Sequence, residues 1–153
     1  MRNKLALLAA AGFTLAAATF AFAQDAIVVD PAIETMSVDQ LVAARQDAMK
    51  QNGFVLRSAM RASGDEAVQA ATTLLRAYTN LPALFREGSV TGTSDALPVI
   101  WENWDDFKGR FDAGAAVAQQ ALDAARAGDT AAYGAALQEL GRGCGGCHQT
   151  YRD

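Results

Sequence analysis

Over most of this sequence from Ser37 onward the apolar residues recur every three or four positions, and nowhere do they alternate with a period of two for long enough to make a strand. Ser37 followed by Gln40 has the form of a capping box. Leu41, Ala48, Met49, Val55, Leu56, Ala59 and Met60 then form a stripe, interrupted by Arg45 and Asn52, which predicts a first helix from Val38 to Arg61. Ser63-Gly64-Asp65-Glu66 breaks the chain and caps a second helix carrying Val68, Ala71, Leu75 and Tyr78. That helix should fade near Asn80-Leu81-Pro82, because proline lacks the N–H and restricts the residue before it. Glu87 to Leu97, EGSVTGTSDAL, is aperiodic and reads as the long loop. Pro98 to Asn103 leads into a third helix with Phe107, Phe111, Ala118, Leu122 and Ala125 on one side, ending at Gly128. Asp129 can cap a fourth, whose stripe is Tyr133, Leu137, Leu140, Cys144, Cys147 and Tyr151. Gln24 to Met36, with Pro31 and no helical period, reads as an extended lead-in. The expected fold over residues 37–153 is all-α, an antiparallel up-down-up-down four-helix bundle. Its many alanines bury little volume, so the core should be thin unless something large fills it.

The start of the chain indicates the compartment. Arg2 and Lys4 make a basic head, LALLAAAGFTLAAA from Leu5 to Ala18 is apolar, and Ala21-Phe22-Ala23 closes the segment. This is the pattern of a secretory signal peptide, residues 1–23, removed to leave Gln24 first. A membrane-spanning helix is the alternative. The apolar run reaches about 19 residues, near the lower limit for a span, and ends in a cleavage motif rather than a basic stop. No membrane span is therefore expected in the mature chain. The formal net charge is −4 and becomes more negative once Arg2 and Lys4 are removed. Such a surface argues against nucleic acid or anionic membrane as a partner.

Both cysteines and the only histidine stand together in Cys144-Gly145-Gly146-Cys147-His148. C-x-x-C-H is the attachment signature of c-type haem. Two thiols three residues apart on a helical turn can both reach the vinyl groups of one porphyrin, and the next residue can project its imidazole at the iron. One haem c, bound through Cys144 and Cys147 with His148 as proximal ligand, would fill the bundle. Haem c is attached outside the cytoplasm, which agrees with an exported, periplasmic protein. The rival readings fit less well. A disulfide across C-x-x-C closes a tiny loop and stabilises little. A thioredoxin-like pair wants a helix start beside a strand, and these cysteines come at a helix end. Zinc needs about four ligands, and the chain offers three soft or imidazole donors. Gly141, Gly143, Gly145 and Gly146 each cost about 1 kcal/mol against alanine in a helix. Close approach of the backbone to a flat ring would explain that cost, and so would a frayed terminus.

A helical bundle ending in C-x-x-C-H resembles the cytochrome c′ family, the class II c-type cytochromes. Arg45-Gln46 matches the family's Arg-Gln pair, and Leu81-Pro82-Ala83-Leu84-Phe85 its second-helix exit. Ile100-Trp101-Glu102 to Phe107 is similar to its third-helix entry, and CGGCHQTYR from Cys144 to Arg152 to its ending. In five-coordinate members an apolar residue four positions after that arginine blocks the distal side of the iron. Here the position is Met49, in Met49-Lys50-Gln51-Asn52-Gly53, which resembles the low-spin branch whose methionine is the sixth ligand. Ordinary core packing is the alternative for Met49. Met60 lies roughly 16 Å further along the helix, too far to serve the same iron, and Met36 precedes the cap.

The resemblance implies a periplasmic monohaem electron carrier with a low-spin His/Met iron and redox proteins as partners, rather than an enzyme. The alternative it carries is a five-coordinate protein that binds nitric oxide or carbon monoxide for sequestration or sensing. It also implies that Arg45 sits near a haem propionate, a solvated helix residue being the alternative. Arg152, one turn after His148, either shields or tunes the proximal imidazole or merely favours the helix C-terminus. Dimers are common in the family, so a homodimer is possible. Trp101, Trp104, Phe107 and Tyr151 are expected to be pocket or core aromatics without chemistry of their own.

Overall fold

The computed structural model describes residues 26–153, so the expected signal peptide lies outside the described residues. Four long helices form the bundle: α1 Val38–Ala59, α2 Gly64–Asn80, α4 Trp104–Ala127 and α5 Thr130–Tyr151, with a one-turn helix α3, Val99–Glu102, ahead of α4. No strand occurs among the described residues. α2 packs along α4, and α4 along α5, while α1 leans mainly on α2. Among the described residues no helix is long and apolar enough to cross a membrane.

The local signals work as expected. Ser37 Oγ accepts from the Gln40 N–H at 3.3 Å, and Gln40 Oε1 accepts from the Ser37 N–H at 2.8 Å, closing the capping box of α1. Gly128, with φ +71°, supplies the left-handed residue that ends α4. Asp129 Oδ1 then accepts from the N–H groups of Ala131 and Ala132, at 3.1 and 2.9 Å, and starts α5.

Three boundaries differ from the sequence reading. Pro31–Thr35 is not extended but winds a 3₁₀ turn, because Asp30 accepts from the Ala32 N–H at 2.9 Å. That turn is tied to the bundle by Arg86, which donates to the carbonyls of Ile33, Glu34 and Met36 at 3.3, 3.0 and 3.2 Å. α1 stops at Ala59, two residues short of Arg61. The lead-in to the third helix is itself helical, and Asn103 (φ −120°, ψ 43°) breaks it from α4.

The core has two ends of different composition. One is built on leucine and alanine, including Ala59, Ala71, Ala118 and Ala121, and every buried alanine among the described residues belongs to it. The other holds Phe85, Phe107, Phe111 and Tyr151 with Leu41, Leu81 and Ile100. The buried alanines therefore gather with the leucines, away from the end that holds the aromatic side chains.

Candidate functional site

α5 stays helical through Gly141, Gly143, Gly145 and Gly146, so Cys144, Cys147 and His148 share one face at i, i+3 and i+4. A cavity of about 390 Å³ opens at the aromatic end of the bundle. Its walls include Arg45 and Met49 from α1, Phe107 from α4, and Cys147, His148 and Tyr151 from α5. Met49 and His148, ninety-nine residues apart, thus border the same space. Arg152 also lines it. Cys144 does not: its Sγ stands 3.8 Å from the hydroxyl of Tyr78 on α2. A larger groove of about 680 Å³, behind Phe85, is lined by Val29, Ile33, Trp101 and Trp104 and offers neither sulfur nor imidazole. It is not the candidate site.

Arg45 is 3 % exposed, although its charge interrupts the apolar stripe of α1. Nη1 donates to Ser89 Oγ at 2.9 Å and to the Leu84 carbonyl at 3.4 Å; Nη2 donates to the Ser89 carbonyl at 2.7 Å and to Ser94 Oγ at 2.6 Å. The guanidinium also lies 4.7 Å from the centre of the Phe85 ring. The loop from Glu87 to Leu97 is therefore wrapped around a buried cation. Among the described residues no carboxylate pairs with it. Burial pushes its pKa below the usual arginine value.

The end of α5 is stitched to the same loop. Arg152 Nη2 meets Asp95 Oδ2 at 3.1 Å, the Leu97 N–H donates to the Tyr151 carbonyl at 3.1 Å, and the Asp153 N–H donates to the Asp95 carbonyl at 3.0 Å. Burial lowers the pKa of His148, and the Arg152 guanidinium lowers it further. Both effects favour the neutral imidazole, the form that ligates a metal.

A second cluster holds the outer side of the motif. Arg110 Nε donates to Asp106 Oδ2 at 2.8 Å, and its Nη1 donates to the Gly146 carbonyl at 3.2 Å. Its guanidinium lies 5.2 Å from the centre of the Tyr151 ring, whose hydroxyl donates to the same Asp106 oxygen. The Tyr151 hydrogen bond, and then Arg110, keep the Asp106 carboxyl below its ordinary range. Burial pushes the Cys147 thiol up, with Arg110 opposing.

The aromatics divide. Phe107 stands at the centre, with ring centroids of Phe85, Phe111 and Tyr151 at 4.9, 5.2 and 5.0 Å. Trp104 reaches it from outside at 5.7 Å, and Trp101 donates its indole N–H to the Phe85 carbonyl at 3.0 Å. Both tryptophans line the neighbouring groove rather than the cavity. Sequence reasoning missed Tyr78, Ser89, Ser94, Asp106 and Arg110. Tyr78 was visible only as a stripe position, and the two serines only as members of an aperiodic loop. The one signal for Asp106 and Arg110 is their i, i+4 spacing, common on any exposed helix face.

Comparison with known proteins agrees with this arrangement. The family model described as Cytochrome C′ matches residues 40–152. A cytochrome c-556 of Agrobacterium tumefaciens (strain II Chrys) is 40% identical over 118 residues, covering 72% of this chain and 95% of that protein. A cytochrome c′ of Pararhodospirillum photometricum is 35% identical over 115 residues, covering 74% and 91%. In fold, the chain is similar to the crystal structure of cytochrome c′ from Thermochromatium tepidum, with a TM-score of 0.69 at 21% identity over 76% of this chain and 98% of that one. With the bundle, the terminal C-x-x-C-H and a family match over nearly all of the helical region, the chain belongs to the cytochrome c′ family, monohaem c-type cytochromes with one covalently attached haem c.

Proposed function

We propose that this protein is a periplasmic carrier of single electrons between redox proteins, with an iron held between His148 and Met49. The observation that carries the reading is the single cavity bordered by both side chains, one from each of two helices distant in sequence. Cys144 and Cys147 would tether the haem as thioethers, and the imidazole of His148 would ligate the iron. Met49, which borders the same cavity, would donate its thioether sulfur to the iron. The haem supplies a reversible one-electron couple, and methionine ligation raises its potential.

The residues present suit such a group. A buried guanidinium without a counter-ion is costly, and Arg45 borders the cavity in that condition. A propionate carboxylate would compensate it. Phe107 and Tyr151 give the flat ring apolar walls. Arg152, held by Asp95, keeps positive charge near His148 and resists its protonation. Ligation by both His148 and Met49 would leave no position open to a substrate and would let an electron transfer proceed with little rearrangement of these side chains.

Absorption spectra of the oxidised and reduced protein, with and without carbon monoxide, test the reading. The expected outcome is a sharp low-spin reduced spectrum that carbon monoxide leaves largely unchanged at neutral pH. A prompt and complete shift on adding the gas would replace it with the five-coordinate, gas-binding alternative and reduce Met49 to a packing residue.

A further inference from the structure

Tyr78 stands near the end of α2, beyond the walls of the cavity, in a seat that leaves its ring little freedom. Its edge lies so close to Gly114 of α4 that even a methyl group there would overlap it. Phe111 tilts against it with the ring centroids 6.2 Å apart. The ring so held aims its hydroxyl at Cys144 Sγ, 3.8 Å away and sixty-six residues further along the chain. Among the described residues no other hydrogen-bonding group reaches that hydroxyl. Among the described residues Cys147 has no comparable donor, so the two sulfurs of the motif are inequivalent.

Between a phenol and a thiol, either group can donate the hydrogen bond. A thioether sulfur has no hydrogen and can only accept, so the polarity becomes fixed with the phenol as donor. We propose that Tyr78 is a positioning residue for Cys144, donating a hydrogen bond to its sulfur in the finished protein. The inference rests on the thioether reading of Cys144 given above. Attachment adds the Cys144 S–H across a vinyl double bond: a carbon–sulfur bond forms, the thiol hydrogen ends on the other vinyl carbon, and nothing leaves. A hydrogen bond donated to the sulfur draws electron density from it. It therefore favours the reduced, more electron-rich state of the group to which that sulfur is attached.

Tyr78→Phe keeps the ring on its seat and removes only the hydroxyl. In the purified holoprotein, the carbon–sulfur stretching bands are followed by resonance Raman scattering in H₂O and in D₂O, together with the reduction potential. Wild type is expected to show a band that moves on deuterium exchange. Tyr78→Phe should lose that isotope shift and have a lower potential, with its absorption spectrum and melting temperature close to wild type. Gly114→Ala, which forces the ring off its seat, should also lose the isotope shift. An isotope shift or a wild-type potential retained in Tyr78→Phe overturns the proposal. Peptide mass analysis of wild type separates this failure from failure of the underlying reading: haem linked through Cys147 alone would overturn the thioether at Cys144 itself.

Discussion

Arg45 of α1 holds Ser89 by two bonds, Nη1 to Oγ at 2.9 Å and Nη2 to the carbonyl oxygen at 2.7 Å, so a helix residue and a loop residue forty-four positions apart form one unit. Ser89 is fully buried as a result. Replacing Arg45 by Lys keeps the charge and loses the fork that reaches four acceptors. Hydrogen bonds to charged groups contribute ~1.5–3 kcal/mol each, and lysine can keep some of them. The expected loss is about 1–3 kcal/mol, read from the urea midpoint, with faster proteolysis inside residues 87–97. A loop as protease-resistant as wild type would show that Arg45 is not what folds it.

Met49 offers the sharpest functional test. Met49→Ala should open the iron to carbon monoxide, broaden the reduced spectrum and lower the potential. Since Met49 is only half-buried, the stability cost should fall below the ~2–5 kcal/mol of a fully buried methionine. Met60→Ala is the control, because Met60 is 50% exposed where α1 ends and its loss should leave the spectrum as it was. Two variants with the same spectrum would remove Met49 from the coordination sphere.

The Asp106–Tyr151–Arg110 cluster predicts a dependence on acid. The folded protein depresses the Asp106 pKa, so the stabilisation is present above the unfolded value of roughly 3.9 and is lost as pH falls through the lower folded one. Asp106→Asn should therefore melt below wild type at pH 6, and the gap should narrow steadily toward pH 3. Melting curves across that range decide it, and a gap independent of pH would mean the carboxylate charge contributes nothing.

Two glycines of α4 should respond oppositely to alanine. At Gly109 nothing lies within 4 Å of an added Cβ, so Gly109→Ala should stabilise by up to ~1 kcal/mol through helix propensity. At Gly114 the same methyl meets the Tyr78 ring, and overpacking of this kind costs ~1–3 kcal/mol, which outweighs the gain. Thermal unfolding of the pair reads the contrast. A stabilised Gly114→Ala would mean that the ring moves aside without cost.

What the amino-acid order decided unaided was local. The capping box at Ser37 and Gln40, the stop at Gly128, the cap at Asp129 and the grouping of Cys144, Cys147 and His148 on one face all involve residues within about one helical turn. The period of the helix sets those relations whatever the rest of the chain does. The break at Asn103 and the 3₁₀ turn at Pro31–Thr35 escaped the same reasoning, because backbone at a helix boundary answers to its neighbours as much as to its own sequence.

The rest waited for the helices to pack. How far α1 is rotated about its axis determines whether Arg45 meets water or the loop, and whether Met49 faces the same cavity as His148. Periodicity marks a stripe but not the element lying opposite it. Alanine content points to a thin core, yet the buried alanines gather at the leucine-rich end and the cavity opens among aromatic rings. The meeting of Tyr78 with Cys144 across sixty-six residues is of the same kind. Such contacts belong to the geometry between helices, which no single helix encodes.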